Sequence, residues 1–268
     1  MTTKTKTPIA YDEFVSYLEK IFAVPTDEVK IIIKDFHSEM QKGLSGFESS
    51  LKMIPSFTDV AKGTEKGKFI ALDLGGTNFR VIAVDLDGKG GASVSGVNKY
   101  VIDRQYMEGT GEKLFDFIAN CIKGFMESNN IGTEKKLDLA FTFSFPVDQT
   151  NIAAGKLMTW TKGFTSSGVV GEDIVVLLNE ALKRIGIRNL KVAALVNDTV
   201  GTLVAKSYTE QACDVGVILG TGTNACYPEK IANIKKWRGL PPKGNMIVNM
   251  EWGNFDKLFV TPYDKDVD

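Results

Sequence analysis

The chain has 268 residues, a length that favours one large or two modest domains. Apolar residues make up 43%, charged residues 24%, and the formal net charge is −1, so the composition is ordinary for a globular protein and lacks the basic excess of a nucleic-acid surface. An acidic small molecule would have to be held by local cations or backbone donors rather than by a global field.

No apolar run approaches about 18 residues, so no membrane span is expected. The polar start Met1 to Lys6 does not read as a secretory signal. Cys121, Cys213 and Cys226 lie too far apart for a disulfide framework or a zinc spacing. They are expected as buried or half-buried free thiols of a reducing, cytoplasmic compartment.

In chain order, Tyr11 to Phe22 has Phe14, Tyr17, Leu18 and Ile21 at helical spacing. Pro25-Thr26-Asp27 breaks this helix and starts a second, with Thr26 as the expected N-cap, and Gly43 and Gly46 ending it. Residues 54–67 read as a loop. Strands follow at 68–74, 80–86 and 93–102, then an amphipathic helix at 112–126 with Leu114, Phe115, Ile118, Ile122 and Phe125 inward. A buried strand is expected at 137–143, a helix at 172–185, and strands at 191–196 and 214–219. Lone His37 is expected to be structural or exposed. Strands interleaved with helices predict an α/β architecture.

Two Gly/Thr turns end two of these strands, Gly75-Gly76-Thr77-Asn78 and Gly220-Thr221-Gly222-Thr223-Asn224. Glycines let backbone N–H groups approach an anion, and Asp73 at a strand end suits a hydrated Mg²⁺; the same residues also make a plain hairpin turn. Neither a P-loop nor a Gly-x-Gly-x-x-Gly signature occurs. Asp198 follows a strand, where a carboxylate can act as a general base toward a hydroxyl, or can simply N-cap the segment from Thr199 to Lys206.

Leu72 to Val81 resembles the first phosphate-binding segment of eukaryotic hexokinases. Five further stretches resemble that family in order: Phe141 to Pro146, Leu157 to Phe164, Val196 to Thr202, Ile218 to Tyr227 and Val248 to Gly253. Met250 stands where the family often carries threonine. The resemblance implies a ribonuclease-H-like, actin/hexokinase-type pair of α/β domains closing over a cleft. Residues 1–62 would be helices of the larger domain, 63–197 the small domain, and 198–268 the start of the larger one. A strand–turn–strand at 68–86 suits that fold better than a Rossmann unit, where a helix should follow the glycines.

By the same resemblance the chain is expected to transfer the γ-phosphoryl of ATP to the 6-hydroxyl of a hexose, glucose foremost, with mannose, fructose and a homodimer left open. Asp198 would be the general base and Lys162 the cation near the transferring group. Ser144, Thr161, Asn197, Asn224 and Glu251 would bind sugar hydroxyls together with these two. Gly75, Gly76, Thr77, Asn78, Arg80 and Thr221 would face the phosphates, and Asp73 would hold Mg²⁺ through water. The run from Leu258 to Asp268 resembles one that continues into much more chain in the family. A second sugar-binding glutamate, a further phosphate segment and the adenosine pocket are therefore expected to be missing. Competing expectations are a non-catalytic sugar sensor, an inactive fragment, and another actin-fold ATPase such as a heat-shock chaperone. In the last of these, Trp160 to Phe164 would have no role.

Overall fold

The computed structural model describes residues 11–268 other than 77, 221, 240–243 and 268. The chain opens with helices α1 (Tyr11–Phe22) and α2 (Thr26–Ser45), followed by strands β1 (Ile54–Pro55), β2 (Lys66–Leu74), β3 (Asn78–Asp87) and β4 (Ala92–Val101). Then come α3 (Arg104–Met107), α4 (Gly111–Ser128), β5 (Leu137–Phe143), β6 (Val147–Asn151), β7 (Ala154–Leu157) and α5 (Ile174–Arg184). The remainder holds β8 (Leu190–Val196), α6 (Asp198–Thr209), β9 (Gly216–Leu219), β10 (Thr223–Lys230), β11 (Asn245–Asn249) and α7 (Pro262–Val267).

Five strands form one sheet in the order β4-β3-β2-β5-β8. β2, β3 and β4 are antiparallel neighbours, whereas β2, β5 and β8 run parallel. Alternation decides which side chains enter the core: Ile70, Leu72 and Leu74 of β2 and Leu139, Phe141 and Phe143 of β5 are buried on one face. That face packs against α4 and α5, whose Leu114, Phe115, Ile118, Ile122, Phe125 and Leu178 fill the same core. Each such side chain contributes roughly 1.5–3 kcal/mol by leaving water. The second sheet, β1-β11-β10-β9, carries a smaller core with Leu51, Met53, Val248 and the C-terminal half of α2.

Several boundaries differ from expectation for local physical reasons. Thr26 is already helical; the capping position is Pro25, whose ring holds an extended start without a side-chain bond. Gly43 lies inside α2, where a Cβ would run into the Leu51 carbonyl oxygen. Only Gly46, at φ +81°, ends the helix, with Phe47 N–H donating back to Lys42 O at 3.0 Å. Ile54 and Pro55, expected in a loop, pair with Asn249 and Val248 of β11. The helix expected from 172 starts at Ile174 because Asp173 caps it, accepting from the N–H groups of Val175 and Val176. His37 is exposed, Cys121 and Cys226 are buried free thiols, and burial pushes both thiols up to about 12. No helix among the described residues is long and apolar enough to cross a membrane.

The end of α2 is fixed by a buried carboxylate. Glu39 accepts from Lys42 Nζ at 2.6 Å, from Ser49 Oγ at 2.8 Å and from Ser50 N at 3.0 Å. The Lys42 bond, aided by the two serines, holds this carboxyl down at about 2. A folded-state value below the unfolded one means stability that is full above about pH 4.5 and is lost as pH falls toward 2. Glu39→Gln is therefore expected to lower the melting temperature at pH 7, with the gap to the unaltered chain closing on acidification. Circular-dichroism melts across that range check this, and a gap independent of pH would contradict it.

Candidate active site

The site is built where parallel strands stop. Asp73 of β2 is registered with Thr142 of β5, and Thr142 with Val196 of β8. The residues just beyond, Ser144 and Asn197-Asp198, therefore emerge side by side at the carboxyl ends of the strands, where open α/β sheets hold ligands. Ser144 N–H donates to Leu74 O at 3.0 Å, which ties the β5 exit to the β2 exit.

Asn197 and Asp198 divide two tasks. Asn197 Oδ1 accepts from Thr199 N–H at 2.9 Å, which makes it the N-cap of α6, and its Nδ2 has no partner among the described residues. Asp198 is the first residue of the helix; its Oδ1 accepts from Thr199 N–H at 2.8 Å and from the Thr199 hydroxyl at 3.3 Å. Its Oδ2 has no partner among the described residues. The capping role open to Asp198 in the sequence is thus filled mainly by its neighbour.

The 160–164 loop is a tight turn mounted on aromatics. Phe164 N–H donates to Thr161 O at 3.1 Å, and both central residues, Lys162 at φ 56° and Gly163 at φ 82°, have positive φ, the pattern of a type I′ turn. Trp160 stacks on Phe164 at 5.2 Å, meets Phe145 edge-on at 4.9 Å, and donates Nε1–H to Ser166 O at 2.8 Å. A lysine in the left-handed region costs on the order of 1–3 kcal/mol, which this packing offsets. Lys162 Nζ donates to Ser144 O at 2.8 Å and lies 5.5 Å from the centre of the Phe145 ring. Phe145 was not among the expected site residues, although it falls within the family-like stretch from Phe141 to Pro146.

Opposite lie β10 and β11. Glu251 also has positive φ, 54°, and its carboxylate meets the side chains of Asn224 and Asn249. Trp252 Nε1–H donates to Thr223 Oγ1 at 2.8 Å and braces the turn after β9.

These elements line an open cleft of about 820 Å³. Ser144, Thr161, Lys162, Asn197, Asp198, Asn224 and Glu251 all line it. Gly76 reaches the same cavity, as do Gly220 and Gly222 of the second turn. Among the described residues, a Cβ at Gly75 or Gly222 would meet nothing within 4 Å, and one at Gly76 only Lys162 Cδ at 4.0 Å, so an anion can approach these backbones. Asp73 and Arg80 face each other across β2 and β3, with Nη1 3.2 Å from Oδ2, and Asn78 opens β3 beside them. Burial pushes the Asp73 carboxyl above its ordinary value and Asp198 adds to this, while Arg80 and Lys162 pull the other way. Thr77 and Thr221 lie outside the described residues. No group of three or more His, Cys, Asp or Glu able to hold a metal occurs among the described residues. The donor set fits a cation held through water and phosphate oxygens, rather than one held by a protein cage.

Family models described as hexokinase match residues 15–208 and 214–268. Hexokinase-1 of Schizosaccharomyces pombe is 42% identical over 258 residues, which cover 94% of this chain and 53% of that protein. The chain therefore spans about half the length of that relative. A solved hexokinase from Schistosoma mansoni complexed with glucose is 37% identical, with a TM-score of 0.79 over 91% of this chain and 56% of that one. A second hexokinase crystal structure, 34% identical, reaches 0.82 over 96% and 61%. The architecture is thus the ribonuclease-H-like, actin/hexokinase-type α/β fold implied by the sequence motifs. With two family models matched in sequence order and identities above 30%, this chain belongs to the hexokinase family.

Proposed function

We propose that this chain carries the sugar-binding and base-supplying part of an ATP-dependent hexose 6-kinase, acting on glucose in the cytosol. The observation that carries the reading is the convergence of Asp198, Lys162 and five further hydrogen-bonding side chains on one cavity. Sugar recognition needs such paired donors and acceptors, because polar groups left unpaired by a poor analogue are penalised. The glucose complex of the S. mansoni relative supports the choice of sugar. Residues 63–197 would form the small domain. Residues 1–62 and 198–268 would belong to the larger one, the cleft between them closing over substrate.

In this reading Asn197 Nδ2, Thr161 Oγ1, Ser144 Oγ and Glu251 orient the hexose, and Asn224 acts through the Glu251 carboxylate that it grips. The free Oδ2 of Asp198 accepts the proton of the 6-hydroxyl as that oxygen attacks. Lys162, fixed over Phe145, offsets the negative charge that develops on the transferring group. The open backbones of Gly75 and Gly76, with Thr77, Asn78, Arg80 and Thr221, would face the phosphates of ATP. Asp73 would hold Mg²⁺ through water; bound there, the cation neutralises phosphate charge.

A coupled assay for hexose 6-phosphate beside glucose calorimetry tests this. Asp198→Asn is expected to leave glucose affinity nearly unchanged and to lower turnover roughly 10²–10⁴-fold, the usual worth of a general base. Near-normal turnover with asparagine there, in a catalytically competent full-length version, removes the base assignment, and glucose binding without turnover in the unaltered chain favours a non-catalytic sensor or an inactive fragment. Thr161→Ala and Lys162→Ala should raise the sugar requirement far more than the ATP requirement; equal effects on both count against a sugar loop. Ser144 separates stability from binding, because its hydroxyl is buried with no hydrogen-bond partner among the described residues. Ser144→Ala is expected to keep or raise the melting temperature while weakening glucose binding. A clear loss of stability would show that the hydroxyl is satisfied within the protein.

A further inference from the structure

Asn249 ends β11, two residues before Glu251, and is only 6% exposed. Its Nδ2 donates to Glu251 Oε1 at 2.8 Å, while its Oδ1 accepts from Asn224 Nδ2 at 2.7 Å. Asn224 spends its hydrogen-bonding capacity inside the protein. Its Nδ2 also reaches Glu251 Oε1 at 3.2 Å, and its Oδ1 accepts from the backbone N–H of Ala225 at 2.7 Å and of Glu251 at 3.0 Å. Two amides thus grip one oxygen of one carboxylate, and Oε2 is left without a partner among the described residues.

An amide meets both neighbours at once, donating through one atom and accepting through the other. The carboxylate demands a donor and the Asn224 amide demands an acceptor, and both must come from a side chain of this length. We propose that Asn249 is a positioning residue. It fixes the direction of the Glu251 carboxylate and the orientation of the Asn224 amide, so that Oε2 points to the ligand. The consequence for hexose binding rests on the reading above that Glu251 accepts a sugar hydroxyl.

Asn249→Asp tests this with no change of shape. Aspartate still accepts from Asn224 but sets a second carboxylate against Glu251, a clash that one shared proton relieves on acidification. Lys52, Lys162 and Asp198 also line the cavities at Glu251, so the unaltered chain measured over the same pH range subtracts their titration. The variant is expected to melt lower than the unaltered chain by a margin that grows from pH 5.5 to pH 8. Adding Glu251→Gln, which returns a donor opposite the aspartate, should abolish that pH dependence. A margin that is flat with pH, or one that persists in the double variant, overturns the inference. In D-glucose calorimetry at pH 8, Asn249→Asp should weaken binding about tenfold or more, the worth of a charge-assisted hydrogen bond, and recover toward pH 5.5. If the unaltered chain takes up no glucose while the pH-dependent melting margin remains, the hexose reading falls and the positioning of Glu251 by Asn249 stands.

Discussion

Parallel pairing of β2, β5 and β8 constrains everything else in this chain. Hydrogen bonding aligns Asp73, Thr142 and Val196 across adjacent strands, so the first residues beyond the strand ends must share one edge of the sheet. A polar residue at that edge escapes the cost of burial, because the backbone ladder ends there and water or a ligand completes its hydrogen bonds. One residue earlier on β5, Phe143, and two residues earlier on β8, Leu195, are fully committed to the core. The change from core to chemistry takes one or two residues on each strand, and the site inherits its rigidity from the strands that end in it.

Where no strand supplies rigidity, the chain uses strain held down by packing. Lys162 and Glu251 both adopt positive φ, an arrangement that persists only when neighbours over-determine it. For Lys162 the neighbours are the Trp160, Phe164 and Phe145 rings together with the Ser144 carbonyl. For Glu251 they are the two asparagine amides and the Trp252–Thr223 brace. The cation and the carboxylate thus line one cavity, each held by a different physical means.

Elements with a strong apolar period were readable directly: Tyr11–Phe22 and Leu137–Phe143 fall where their patterns put them. The β6–β7 hairpin was not, because Asp148-Gln149-Thr150-Asn151 carries no alternation and its place depends on Gln149 donating to Leu195 O across sequence. Pro228 hid β10, since proline argues against a strand between two partners. The structure accommodates it because β9 pairs with β10 only as far as Cys226, so one edge at Pro228 is already free. At the site, residue chemistry alone left Asp198 between cap and base, and only the ordered series of family-like segments singled out Lys162 and Glu251. Asn249 escaped notice because its role is defined wholly by two partners that meet it in space, one of them 25 residues away.

The two buried thiols have a consequence for how this molecule handles oxidants and electrophiles. Cys121 lies on the buried face of α4 in the main core, and Cys226 beneath the start of α6, where its Sγ–H reaches Thr199 O at 3.2 Å. With both held near 12, almost no thiolate exists at neutral pH, and the thiolate is the form that is alkylated or oxidised. Reaction at these sulfurs has to wait for the chain to open, so the rate of covalent labelling at either one counts unfolding events rather than surface encounters.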